Sequence, residues 1–380
     1  MNASKPSTAT SRPDVAILLF DFDTGGVMRV AVHLANGLAK AGLNIHMVVV
    51  HKQGALLDML DEQVHVEVLG DEGFTGKRSK QLVRAIPRLA SYVKRVRPKT
   101  LFASGNHLFH YSWAGHAFAR CKDVKLLFKL TNPIRQEKRG FFERLLRRVA
   151  YGLFLPSTDC VFTIASDGTS EMYDFLGQND KRVHFVHSPW IEHDCEPRIK
   201  APVEQREDKR VRLLAVGRLM PQKDYPTLFR ALAQLMHRDW VLNILGNGDK
   251  EAELRALVDE LGISDRIHFE GFVLDPLPWY SQADVFVISS IYEGGPAVIP
   301  EAMSFGLPVV ATACSQLTVD ILEDGTFGRL APVSDHDAFA KALDETMQSE
   351  WDSAAAIAYA KQYSLENSTK EHLEVLRSYL

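Results

Sequence analysis

The run Val15-Ala16-Ile17-Leu18-Leu19-Phe20 is apolar at every position, and the polar, glycine-bearing stretch Asp21 to Gly26 follows it. Next, Val27, Val30, Ala31, Leu34, Leu38 and Ala39 recur at the spacing of one helix face until Gly42, and Ile45 to Val50 is again an apolar run, broken only by His46. An uninterrupted apolar strand has both faces buried, as in a parallel sheet covered by helices on each side. Strand, glycine loop, helix and strand in quick succession make a βαβ unit. Further strands are predicted over Thr100–Ala103, Leu126–Leu130, Cys160–Ile164 and Val183–Val186, with helices between them such as Ser79 to Val96.

Residues 191–210 are polar and aperiodic and read as a linker. Beyond it the pattern restarts with strand Val211–Val216, a loop, helix Tyr225–Met236 and strand Trp240–Leu245. A helix over Lys250–Leu261 and strands at Ile267–Glu270, Val285–Ile288 and Pro308–Ala311 complete it, with a helix that begins near Glu301. The fold class is therefore α/β, with two Rossmann-like domains over residues 14–190 and 211–364 facing an interdomain cleft. Residues 365–380 form an amphipathic C-terminal helix, for which a return to the first domain is one open arrangement.

At 380 residues, with 46% hydrophobic and 24% charged, the chain suits two globular domains rather than one. No apolar run reaches the roughly 18–20 residues of a membrane span. Residues 1–13 lack the apolar core of a signal peptide and read as a disordered tail. Cys121, Cys160, Cys195 and Cys314 are far apart with no CxxC pair, which fits a reducing cytoplasm better than a disulfide framework or a zinc site. The net charge of −4 conceals a basic block, since residues 77–148 hold 19 Lys/Arg and 3 Asp/Glu. Such a block either attracts an anionic membrane surface or forms a solvated positive face. Nucleic acid is not an expected partner.

The chemistry is concentrated in Ser290-Ile291-Tyr292-Glu293-Gly294-Gly295-Pro296-Ala297-Val298-Ile299-Pro300-Glu301. Two glutamates flank a Gly-Gly-Pro turn, and Pro300 is suited to open a helix. Carboxylates on both sides of exposed backbone N–H groups suit a ligand with hydroxyls at two places and charge between them, such as a nucleotide sugar. Upstream, Arg218 and Lys223 lie in the loop after the first strand of the second domain, where ligands of open α/β sheets gather. Together they could clamp a pyrophosphate, the arginine as a fork and the lysine as a point charge; taken alone they read rather as solvated loop cations, and the downstream glutamate pair reverses that reading.

Val216-Gly217-Arg218-Leu219 with Lys223, Ile244-Leu245-Gly246 with Gly248, and Phe269 with Gly271-Phe272 occur in one order with Ala283–Val287, Glu293–Ala302 and Gly306–Thr312. This series resembles the family 4 retaining glycosyltransferases of GT-B fold, closely in the second domain and loosely in the first. The resemblance implies that Glu293 binds donor-sugar hydroxyls and Glu301 the ribose, while backbone at Gly294, Gly295, Ala297 and Val298 approaches sugar and phosphates. It implies that Arg218 and Lys223 neutralise the leaving diphosphate, that Gly25 and Gly26 close over it from the first domain, and that Phe272 and Val273 contact the base. Retention would follow from same-face attack, with a departing phosphate oxygen as base and with neither a protein nucleophile nor a divalent metal. The donor would be a UDP- or GDP-linked hexose or N-acetylhexosamine, with no other cofactor, and the acceptor a surface polysaccharide or lipid-linked glycan.

The first domain departs from the family pattern. Thr131-Asn132-Pro133 stands where many relatives carry a histidine, so Asn132 is the candidate sugar contact, with His107 and His110 as further candidates or as structural histidines. Cys314 to Asp320 lacks the usual glycine pair. Asp21-Phe22-Asp23 looks like a metal-binding DxD, but it sits in a first βα loop, and no metal is expected there. Residues 135–154 interleave arginines with Phe141, Phe142, Leu145, Leu146 and Val149; they suit either an interfacial helix on anionic lipid or an ordinary surface helix. A sugar-nucleotide 2-epimerase and a non-catalytic GT-B sugar-binding protein are the alternative readings. Neither glycine loop forms the GxGxxG of NAD enzymes.

Overall fold

The computed structural model describes residues 12–23, 25–71, 76–134, 141–193, 195 and 208–380, with the side chains of 141–144 excepted. Most of the 1–13 tail, much of the 191–210 linker and residues 135–140 of the basic segment lie outside the described residues. The chain divides into two units, Met1–Pro189 with Leu365–Leu380, and Trp190–Ser364.

Unit 1 comprises β1 (Val15–Leu19), α1 (Gly26–Lys40), β2 (Ile45–Val49), β3 (His65–Val68), α2 (Arg78–Val96), β4 (Thr100–Ala103), α3 (Asn106–Ala119), β5 (Lys125–Leu130), α4 (Phe141–Phe154), β6 (Cys160–Thr163), α5 (Ser166–Leu176) and β7 (Val183–Phe185). Its sheet has the order β3-β2-β1-β4-β5-β6-β7, with every pair parallel. β1 is fully buried along its length, in register with Ile45–Val49 on one side and Thr100–Ala103 on the other.

Unit 2 comprises β8 (Val211–Val216), α6 (Tyr225–Gln234), β9 (Trp240–Leu245), α7 (Glu251–Glu260), β10 (Ile267–Gly271), α8 (Leu277–Gln282), β11 (Val285–Ile288), α9 (Val298–Ser304), β12 (Val309–Thr312), α10 (Gln316–Ile321), β13 (Arg329–Ala331), α11 (His336–Gln348) and α12 (Ser353–Ala360). Its parallel sheet runs β10-β9-β8-β11-β12-β13. Both sheets grow outward in two directions from their first strand. Each has a topological switch point, between β1 and β4 and between β8 and β11, where such sheets bind ligands at the carboxyl ends of the strands.

α13 (Leu365–Leu376) returns to unit 1. Thr369 lies against α1 at Gly37, where an added Cβ would come within 2.1 Å of its Oγ1. Ser368 Oγ donates to the His187 carbonyl at 2.6 Å, and Glu371 accepts from the His187 N–H and faces its ring nitrogen, both at 2.8 Å. His372 is fully buried, and desolvation holds it neutral. Its Nδ1 lies 2.7 Å from the Ser368 carbonyl and must carry the proton, which leaves Nε2 to accept from Lys129 Nζ at 3.3 Å.

Lys129 is buried in β5, and desolvation lowers its pKa to about 7, against an opposing pull from Glu371. The unfolded lysine titrates near roughly 10.4, so between these values the unfolded chain binds the extra proton and stability rises with pH. Below pH 7 both states are protonated and the full cost of burying the charge remains. Lys129→Met is therefore expected to melt above wild type at pH 7, by an advantage that shrinks as the pH approaches 10. A pH-independent difference in thermal melts would refute this account.

Candidate active site

Lys223 follows β8 and Glu293 follows β11, so both sit at the switch point of unit 2. Their loops are tied by backbone and side chains. Ile291 N donates to the Gln222 carbonyl at 2.8 Å, and Gln222 Nε2 donates to the Tyr292 carbonyl at 2.7 Å. Ser289 Oγ donates to the carbonyls of Lys223 and Asp224 at 2.9 and 3.0 Å. Across this seam Lys223 Nζ donates to Glu293 Oε1 at 2.7 Å, with both side chains largely shielded from water. Ser290 Oγ donates to the same oxygen at 2.6 Å. Gly217 leaves the lysine its path, since an added Cβ would lie 2.8 Å from Lys223 Cε. Arg218 is exposed in the same loop.

Glu301 stands in the first turn of α9, where the fully buried Tyr280 donates its hydroxyl to Oε2 at 2.9 Å and stacks on Phe305. Because α9 begins at Val298, Pro300 is its third residue and not its first as the sequence suggests, and Ala297 is the N-cap. Its missing N–H still has no intrahelical acceptor at that position, so the helix loses nothing. Gly294 and Val298 are half-buried, and Gly295 is exposed beside Trp190. Phe272 follows Gly271 (φ +73°) at the end of β10 and is 70% exposed, while Val273 is half-buried.

In unit 1 the loops after β1, β4 and β5 converge. An ideal Cβ on Gly105 would approach Val27, His107 and Thr131 at 3.1, 3.6 and 3.6 Å. Gly25 is the N-cap of α1, and nothing lies within 4 Å of the Cβ position of Gly26. Asn132 is placed by Asn106, whose Oδ1 accepts from Thr131 N (2.8 Å), Thr131 Oγ1 (3.1 Å) and Asn132 N (3.3 Å), and whose Nδ2 donates to the Asn132 carbonyl at 2.6 Å. His107 accepts from Arg78 at 3.2 Å, and desolvation together with that cation lowers its pKa to about 4, so it is neutral at physiological pH. Desolvation lowers the pKa of Arg78, against an opposing pull from Asp21 and Asp23.

His110, one turn further along α3 than His107, packs in an aromatic cluster with Phe109, Tyr151 and Phe154. Sequence reasoning assigned no role to Ser290, Tyr280, Asn106 or Arg78. A serine three positions before a functional carboxylate and an asparagine opening a helix are the signals that stood available.

Two parallel sheets of these strand orders match solved structures of GT-B fold. Residues 25–189 match the glycosyl transferase 4-like domain and residues 198–363 the glycosyl transferases group 1 domain. The chain belongs to this family. It is similar to the lipopolysaccharide core biosynthesis glycosyltransferase LpsE of Rhizobium meliloti, with 25% identity over 93% of this chain and 96% of that protein. It is also similar to the N-acetylgalactosamine-N,N'-diacetylbacillosaminyl-diphospho-undecaprenol 4-alpha-N-acetylgalactosaminyltransferase of Campylobacter jejuni, with 24% identity over 57% of this chain and 59% of that one. Among solved structures, Anabaena Alr3699/HepE in complex with UDP and glucose superposes with a TM-score of 0.77 at 18% identity, over 96% of this chain and all of that one. No helix among the described residues is long and apolar enough to cross a membrane.

Proposed function

We propose that this glycosyltransferase is a retaining, metal-independent enzyme that moves a hexose or N-acetylhexosamine from a UDP- or GDP-sugar to a surface-polysaccharide or lipid-linked acceptor. The observation that carries the reading is the Lys223–Glu293 pair at the β8/β11 switch point. The glycosidic C1–O bond to the diphosphate breaks, the acceptor oxygen bonds to C1 on the same face, and the acceptor proton passes to a phosphate oxygen. The products are the glycoside and the nucleoside diphosphate. Lys223 and Arg218 stabilise the charge that develops on the phosphate, which is worth more in the transition state than in the ground state. Glu293 holds sugar hydroxyls and Glu301 the ribose, with backbone at Ala297 and Val298 beside the phosphates and Phe272 and Val273 beside the base. The glucose and UDP bound to Alr3699/HepE and the polyprenyl-diphosphate acceptor named for the Campylobacter relative support this choice of substrates. Product formation from a panel of UDP- and GDP-sugars in excess EDTA, with the anomer assigned by NMR, tests it. An inverted product or strict metal dependence would reject the mechanism.

Unit 1 is assigned the acceptor, with peripheral association at the cytoplasmic membrane face. α4 supports this, because Leu145, Leu146, Val149 and Leu153 are 48, 71, 52 and 68% exposed along one face, beside exposed Arg148. Apolar side chains flanked by cations suit an anionic bilayer surface. Cosedimentation with vesicles containing 30% phosphatidylglycerol, about the anionic fraction that gives appreciable surface potential, is expected to be salt-sensitive. It should be lost in Leu146→Glu/Leu153→Glu, and indifference to lipid charge would remove the proposal.

A further inference from the structure

Glu293 Oε1 carries two donors, Lys223 Nζ and Ser290 Oγ, while no described residue donates to Oε2. The two donors differ in kind. Lys223 has a mobile stem and three hydrogens, and the transferase reading requires it to face the departing diphosphate. Ser290 is fully buried, and its hydroxyl makes no other hydrogen bond to a described residue. Its backbone is held from the next strand, where Thr312 Oγ1 donates to the Ser290 carbonyl at 2.5 Å. One partner can therefore leave the carboxylate, and the other cannot.

We infer that Ser290 is a positioning residue, the fixed donor that retains Glu293 in place when Lys223 turns from the carboxylate to the leaving diphosphate; this rests on the transferase reading above. A largely buried carboxylate that loses its cation needs another donor or it resists the change. Ser290 supplies it on Oε1 and leaves Oε2 for a sugar hydroxyl. Without Ser290, anion binding would strip Glu293 of its last protein donor, so the nucleotide would compete against the Lys223–Glu293 pair at full strength. The serine lowers the barrier to that exchange without touching substrate.

The test is a double-mutant cycle on Ser290→Ala and Glu293→Gln, read by calorimetric titration with UDP and GDP and by turnover with the UDP- and GDP-sugar panel. Thermal melts confirm that each variant is folded. Ser290→Ala is expected to weaken binding of the better nucleotide and to lower kcat/KM by roughly 10- to 100-fold, the scale of one hydrogen bond to a charged group. In the Glu293→Gln background, with no carboxylate to hold, the same change should alter nucleotide affinity less than about twofold, because residues that act through one shared contact are non-additive. Equal losses in both backgrounds would assign Ser290 a purely structural role through the β11–β12 seam and overturn the proposal, as would no loss in either. A wild type that neither binds UDP or GDP nor turns over any donor would bring down the transferase reading and this inference together. An active wild type with an additive cycle would bring down the serine alone.

Discussion

Lys223→Ala is expected to lower turnover by about 10²–10³-fold, the loss associated with removing one preorganised donor from a developing oxyanion. Nζ is held 2.7 Å from Glu293 at the end of the seam between the β8 and β11 loops, so on donor binding it has only to turn from that carboxylate to the adjacent diphosphate before the bond breaks. A cation already desolvated and aimed needs little reorganisation as charge builds on the phosphate. The effect should fall on kcat more than on donor KM, because the charge is greatest in the transition state. The variant should also melt lower, since Glu293 is left with Ser290 as its one described donor. Single-turnover rates with the best donor of the panel check the first claim and thermal melts the second. Turnover within twofold of wild type would remove Lys223 from the mechanism.

The strands that flank the switch points were legible because each is mostly apolar, and so were the loops that follow them, because glycine and charge interrupt the apolar period there. Two of the edge strands, β3 and β13, escaped. His65-Val66-Glu67-Val68 alternates with its face partly in water, and Arg329-Leu330-Ala331 is three residues long. Neither presents the continuous apolar run by which β1 or β11 announces itself. The bounds of the strands read from sequence shifted by a residue or so, as at β12, which runs Val309–Thr312 against an expected Pro308–Ala311.

The site was legible at the level of which residues carry charge, and much less so in what holds them. Glu293 and Lys223 are 70 positions apart, and nothing in periodicity states that they touch; the parallel pairing of β8 with β11 brings them together. Ser290 and Tyr280 each act through one hydrogen bond to a residue that the sequence did identify, and Asn106 through several to the Thr131–Asn132 loop; such bonds leave no spacing pattern. His110, three positions after His107 on α3, packs against Phe154 of α4, in keeping with the structural role that the sequence also offered for it.

Gly248→Ala is expected to be more damaging than its one added methyl suggests. An ideal Cβ there would lie 2.3 Å from the Leu219 carbonyl oxygen, 2.7 Å from its carbon and 2.8 Å from its nitrogen. These are backbone atoms, so no flexible side chain can swing aside. The loops are also tied together, with Leu219 N donating to the Asn247 carbonyl at 2.9 Å and Lys250 N to the Leu219 carbonyl at 3.1 Å. Relief therefore requires the segment between Arg218 and Lys223 to shift with fully buried Leu219. Overpacking of this kind costs about 1–3 kcal/mol. A displacement near 1 Å at a catalytic group costs up to about 10²-fold in rate. Gly152→Ala serves as control, since nothing lies within 4 Å of its Cβ position, and it should keep wild-type turnover. Donor affinity, turnover and melting temperature measured together separate the two effects. A Gly248→Ala enzyme with unchanged melting and rate would mean that the β8 and β9 loops move independently and that Lys223 is not positioned from that side.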